Sequence, residues 1–157
     1  KVVRPYGRDI MVLGFRRVLS PFDAQFSARA RRYVYFWSVP SDFELLDRLR
    51  VLVRPLVGRH DFHAFARDTP KHKTTTRRII EADVCMGALD DRPSLRFDLA
   101  AEGFLRRQVR ILVATALREA RAEAPPDRML ELLRTRDRRR TAPAAPPGGL
   151  YLTKVLY

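Results

Sequence analysis

The sequence predicts an α+β fold, a mainly antiparallel sheet with helices packed on one face. Three observations carry the prediction. Short segments rich in β-branched and aromatic residues recur along the chain, two longer stretches carry apolar residues at helical spacing, and strands and helices interleave. Hydrophobic residues make up 46% of the 157 and are spread over the whole length. A chain of that size forms one domain, residues 1–157, and buries roughly two-thirds of the surface it exposes when unfolded.

Residues 10–18 are rich in aliphatics and predict a first strand, stopped by Ser20-Pro-Phe-Asp23. A basic lead-in at Arg29 to Arg32 runs into Tyr33-Val-Tyr-Phe-Trp37, predicting a strand over 29–39. Tyr33, Tyr35 and Trp37 then share one face, and Val34 and Phe36 the other. Phe43, Leu46, Leu49, Val53 and Leu56 mark an amphipathic helix over 43–57, with Asp42 as its cap and Pro55 and Gly58 at its end. Residues 76–86 and 94–101 predict two strands around the turn-forming Asp90-Asp-Arg-Pro93. The longest helix is expected over 103–120 and a short one over 126–134, with Pro126 in a permitted first-turn position. A proline- and glycine-rich loop over 137–149 leads into a last strand at 150–157. The helices at 43–57 and 103–120 are expected to cover one sheet face, leaving the open face as a basic cleft.

Thirty-one Lys and Arg oppose eighteen Asp and Glu, a net charge of +13. Such a balance repels itself in the compact state and points to a polyanionic partner, with nucleic acid first. No apolar run approaches the roughly 18 to 20 residues of a membrane-spanning helix. Cys85 is the only cysteine, so no internal disulfide can form, and a reducing compartment, cytoplasmic or mitochondrial, is expected. With Lys1 in first place no targeting segment can be read. His60 and His63 supply too few ligands for a metal site and are expected to serve the loop. No phosphate loop, dinucleotide fingerprint or nucleophile elbow occurs.

Arg31-Arg32-Tyr33 interleaves cations with an aromatic, a combination that serves phosphate contact and base stacking, or else a solvated lead-in to a strand with core aromatics. On the expected long helix, Phe104, Leu105, Val109, Leu112, Val113 and Ala116 form an apolar arc. Arg110 falls at its edge, placed either to bend into a cleft or to snorkel into water.

Four collinear blocks resemble TruA-type tRNA pseudouridine synthases: Phe22-Asp-Ala-Gln-Phe-Ser-Ala-Arg-Ala-Arg-Arg-Tyr33, Leu56-Val-Gly-Arg-His-Asp-Phe-His-Ala-Phe65, Gly103-Phe-Leu-Arg-Arg-Gln-Val-Arg110 and Gly149-Leu-Tyr-Leu152, with a family-like strand at Thr76 to Ile80 between them. The resemblance implies a pseudouridine-synthase-like fold and an activity, without cofactor or metal, that detaches uracil from ribose and rejoins it through carbon. It implies that Tyr33 packs against the displaced base and assists proton transfer, that Arg110 pairs with the nucleophilic aspartate, and that Leu150 forms the pocket floor. The aspartate belongs to an Arg-Thr-Asp-Ala-Gly-Val-His-like motif that this sequence does not contain. The chain is thus expected to be the C-terminal, RNA-binding part of such an enzyme.

The substrate class implied is tRNA or ribosomal RNA, contacted by Arg29, Arg31, Arg32, Arg77, Arg78, Arg106 and Arg107. The alternative is an inactive relative retained as a ribosome assembly or structural factor. A homodimer and a related synthase-like partner are both left open. Between Trp37 and Phe43 the family carries a longer excursion than the Ser-Val-Pro-Ser-Asp found here.

Overall fold

The structure, a computed structural model, describes residues 10–38, 43–68 and 73–157. Among these residues five antiparallel strands form one sheet: β1 (Ala30–Ser38), β2 (Gly58–Asp61), β3 (Thr76–Leu89), β4 (Arg92–Ala101) and β5 (Leu150–Leu156), in the order β2-β3-β4-β1-β5. Three α-helices accompany it among the described residues: α1 (Phe43–Val53), α2 (Gln108–Arg121) and α3 (Arg128–Thr135). The mainly antiparallel α+β fold read from the sequence is the fold observed. The shortened stretch after Trp37 and the Asp42 cap fall largely outside the described residues.

Register puts the core on one side of the sheet. Tyr35 opposes Phe97, which opposes Val84, and Tyr33 opposes Leu99, which opposes Ala82. With Leu95 and Ile79 these residues pack under α1 and α2 into a single hydrophobic cluster. Alternation then turns Arg32, Val34 and Phe36 to the other side, as the pleat requires. Among the described residues β2 pairs only with Thr76 to Ile79 and nothing else pairs with that side of β3, so the rest of β3 is an edge there, which α1 covers. There Arg50 donates to the Val84 carbonyl at 2.9 Å and Arg54 pairs with Asp83 at 3.0 Å.

Several expectations are corrected. Residues 10–18 form no strand; they pair with nothing among the described residues, and Leu13 and Phe15 are 91% and 99% exposed. Their aliphatic content supplies propensity, but a strand also needs a partner, and this segment has none within the described chain. The strand β2 has no counterpart among the sequence expectations, because Gly58-Arg-His-Asp61 has no β-forming residue and is held in the sheet by its pairing with β3. The helix expected from 103 begins at Gln108, since Arg107 is left-handed (φ 63°) and the Leu105 N–H is taken by the Gln108 side chain at 2.7 Å. The first helix ends as a short 3-10 turn at Arg54–Leu56, where Pro55 cannot continue it.

The open face does carry a basic cleft, a cavity of about 560 Å³ lined by Arg31, Arg32, Arg96 and Lys154 among others. Arg32 is paired with Glu81 there, and Arg96 with Asp98 at 2.7 Å, so two of its cations are neutralised within the sheet.

Candidate functional site

The delayed start of α2 shapes a pocket on the helix-bearing side. Residues 103–107 loop over the end of the sheet, so that Phe104 meets the Tyr33 ring edge to face at 5.4 Å and 83°. Tyr33 sits at an irregularity in the pairing of β1 with β5, where the register shifts between Arg32 and Tyr33. From the other side, residues 141–149 run along α2 and deliver Leu150 at the start of β5, opposite Tyr35. The cavity, about 280 Å³, is lined by Tyr33, Phe104, Arg106, Arg107, Arg110 and Leu150 among others. The structure thus brings Tyr33, Arg110 and Leu150, more than a hundred residues apart in sequence at the extremes, to one pocket.

Arg110 is held by the chain that it holds. Its Nε donates to the Ala145 carbonyl at 2.5 Å, and the Ala145 N–H donates to the Arg110 carbonyl at 3.1 Å. It has no carboxylate partner among the described residues, although it is half-buried. Of the two placements open from the sequence, the cleft is the one observed. Tyr35 lies beside it, donating from its hydroxyl to the Pro146 carbonyl at 2.9 Å. Burial pushes the Tyr35 hydroxyl above its ordinary pKa, and the charge of Arg110 partly offsets this. Gly149 makes the approach of β5 possible, because a Cβ there would collide with the Phe36 carbonyl oxygen and stand 2.8 Å from the Tyr35 ring.

The arginines expected at RNA divide. Arg106 and Arg107 line the pocket; Arg106 is paired with Asp68 at 3.2 Å, while the Arg107 carbonyl accepts from the Ile111 N–H at 3.0 Å and its guanidinium makes no hydrogen bond or ion pair among the described residues. Arg31 and Arg78 converge on Glu102, the first on its carbonyl at 3.4 Å and the second on its carboxylate at 3.5 Å. Arg32 faces the opposite side of the sheet. Arg77 turns to the Thr74 and Thr76 carbonyls, at 3.0 and 2.6 Å, and Arg29 is exposed on the approach to β1.

His63 Nδ1 lies 2.8 Å from the Arg136 carbonyl oxygen, and the His63 N–H donates to Asp61, so this histidine ties its loop to the end of α3. Phe104 is the pocket residue that sequence reasoning misses, because helical periodicity assigns it to the apolar arc.

A family profile described as tRNA pseudouridine synthase matches residues 52–157. The chain is 32% identical to a protein named tRNA pseudouridine synthase A from Paracoccus denitrificans, over 94% of its own length and 62% of the relative's. It is 32% identical to the protein of that name from Azorhizobium caulinodans, over 99% and 63%, and 35% identical to that from Cereibacter sphaeroides, over 94% and 63%. The chain therefore spans a little under two-thirds of the length of these relatives.

Proposed function

The chain belongs to the TruA-type tRNA pseudouridine synthase family, and on that premise we propose that it supplies the RNA-binding and pocket side of an enzyme that isomerises uridine to pseudouridine in tRNA. One observation carries the reading: the residues that the family resemblance implicates, Tyr33, Arg110 and Leu150, line a single cavity of about 280 Å³, in which Arg110 has no carboxylate among the described residues.

Each side chain has a chemical task in this reading. The Tyr33 ring, braced by Phe104, offers a face and a hydroxyl to a base displaced from its stack. Leu150 closes the floor and keeps water from the glycosidic bond. Arg110 meets the nucleophilic aspartate of the family's Arg-Thr-Asp-type motif and holds it ionised and oriented, as a neighbouring cation lowers a carboxylate's pKa. Arg106 and Arg107 stand at the same cavity to receive phosphate. No step asks for a cofactor or metal.

The test is release of tritium from C5-tritiated uridine in a tRNA transcript, since rejoining uracil through that carbon displaces its hydrogen. The assay is run on the protein together with the polypeptide bearing the Arg-Thr-Asp-type segment. Release that depends on Arg110 supports the reading. RNA binding with no release under any pairing would replace it with the inactive, assembly-factor alternative.

A further inference from the structure

A second cavity opens on the far side of Arg110. It follows α2 and is about 600 Å³ in volume, with six arginines on its walls: Arg67, Arg107, Arg110, Arg118, Arg138 and Arg139. They come from the segment after Phe65, from one stripe of α2 and from the 3-10 turn at Arg138–Arg140. From Arg110 to Arg118 the helix advances about 12 Å, at roughly 1.5 Å per residue.

The walls are pinned by buried hydrogen bonds rather than formed by loose surface side chains. Thr141 Oγ1 donates to the Ala64 carbonyl at 2.7 Å, the Ala142 N–H donates to Thr115 Oγ1 at 3.0 Å, and the Ala145 N–H reaches Arg110 as described. Arg138 donates to the Thr141 hydroxyl at 2.7 Å, which fixes its guanidinium in the groove.

The cations outnumber their partners. Arg67, Arg118 and Arg139 each reach a carboxylate, Asp68 at 3.7 Å, Glu119 at 2.6 Å and Asp137 at 3.0 Å. Arg107, Arg110 and Arg138 reach none among the described residues. Burial and then the charges of Arg67 and Arg118 push the Arg138 guanidinium below its ordinary pKa. Like charges held this close are stabilised by an anion between them, and planar guanidinium forks match phosphate oxygens in pairs.

We propose that this arginine groove between α2 and residues 138–144 binds the phosphodiester backbone of the RNA strand whose base occupies the Tyr33 pocket. The proposal rests on the functional reading above. Arg107 and Arg110 line both cavities, so a nucleotide in the pocket has its flanking phosphates at the mouth of the groove. A free phosphate or polyphosphate shares the chemistry but has no reason to lie against the base pocket.

The experiment measures binding of a fluorescein-labelled single-stranded RNA to the 157-residue chain by anisotropy, as salt rises from about 50 to 200 mM. Arg67→Gln with Arg139→Gln removes two groove cations whose side chains are 59% and 91% exposed, so folding is retained, as circular dichroism checks. Arg92→Gln with Arg134→Gln removes equal charge elsewhere. The slope of log affinity against log salt is expected to shrink by about 1.4 for the groove pair, at about 0.7 for each single-strand phosphate that is no longer neutralised, and to stay unchanged for the control pair. RNA binding with an unchanged slope in the groove pair overturns the groove and leaves the functional reading standing. An equal drop in both pairs overturns it as well, as a bulk charge effect. Absence of RNA binding by the unaltered chain sinks both readings. Displacement of the RNA by tripolyphosphate at lower concentration than by unlabelled RNA assigns the groove to free polyphosphate and overturns the proposal too.

Discussion

Tyr33 and Phe104 meet edge to face at 5.4 Å, one from a strand and one from the loop before α2. The contact orients the tyrosine ring, because Phe104 is itself packed against the core. A base that stacks on Tyr33 thus stacks on a pre-positioned ring and loses little freedom of the protein in doing so.

Tyr33→Phe keeps that ring and its partner. RNA affinity is expected to stay within about twofold, since stacking needs a ring face and not a hydroxyl. Tritium release is expected to fall, because the hydroxyl's part in proton transfer is gone. Tyr33→Ala removes the ring and is expected to weaken RNA binding by about 1 to 3 kcal/mol. Equal turnover in Tyr33→Phe and the parent would remove the hydroxyl from the chemistry.

Gly149 and Gly148 make a matched pair for stability. A Cβ on Gly149 runs into the Phe36 carbonyl, whereas one on Gly148 meets nothing within 4 Å. Gly149→Ala is therefore expected to destabilise by about 1 to 3 kcal/mol, the usual cost of overpacking. Thermal midpoints should fall by roughly 2 to 4 °C for each kcal/mol, while Gly148→Ala stays near the parent value. Because Leu150 follows directly, Gly149→Ala should also cost RNA affinity.

The legible part of the fold is the part written in local pattern. Tyr33 to Trp37 alternates with aromatics, and its two faces follow from the sequence because strand period is fixed by the pleat. The strands expected at 76–86, 94–101 and 150–157 are legible for the same reason, although β3 runs on to Leu89 and β4 begins at Arg92, within the stretch read as the turn. β2 is invisible because its four residues become a strand only when β3 lies beside them. The aliphatics of 10–18 mislead in the opposite way, offering propensity with no partner. For the pocket, periodicity can place Arg110 only at the edge of an arc. Whether it bends inward depends on Ala145, thirty-five residues on, and no local pattern encodes that contact. The arginine groove is hidden because its six cations come from segments that look, one by one, like solvated surface.

Stability should depend on pH through Glu119. Its side chain is only 8% exposed and meets Arg118 at 2.6 Å and Arg128 at 2.9 Å. Burial raises its pKa, but the hydrogen bonds from Arg128 and Arg118 and their charges together outweigh burial and hold the carboxyl below its usual range. A depressed folded value means that the contribution is fully present above the unfolded carboxyl pKa, about 4.3, and is lost as pH falls through the folded one. Asp61 and Asp83 shift the same way and lose their contributions below about pH 4. Urea midpoints should be flat from pH 7 to about 5 and then drop, with a shallower acid limb in Glu119→Gln. An acid limb identical in that variant would show that Glu119 does not contribute to it.

Arg110 is where binding and chemistry should separate. Its Nε bond to the Ala145 carbonyl is a structural contact, and a single hydrogen bond of this kind contributes about 1 kcal/mol. Its charge has no carboxylate among the described residues, so in the proposed enzyme it is the counter-ion of the nucleophile. Removing one member of a buried charge pair costs about 3 to 5 kcal/mol because the other is left stranded. Arg110→Ala is thus expected to cut turnover by about 10²- to 10⁴-fold while thermal stability falls by only about 1 kcal/mol. RNA affinity should fall little, since the other groove and pocket arginines remain. Arg110→Lys separates the two roles: it keeps the charge and gives up the forked geometry that serves Ala145 and a carboxylate together. It should recover part of the turnover but not the bond to Ala145. The reverse pattern is expected of Arg31→Ala with Arg32→Ala, in which RNA binding weakens and saturated turnover persists. If Arg110→Ala turned over at close to the parent rate, the arginine would be a strut for residues 141–150, and the cation facing the nucleophile would have to be sought at Arg107, which lines the same cavity and whose guanidinium has no partner of its own among the described residues.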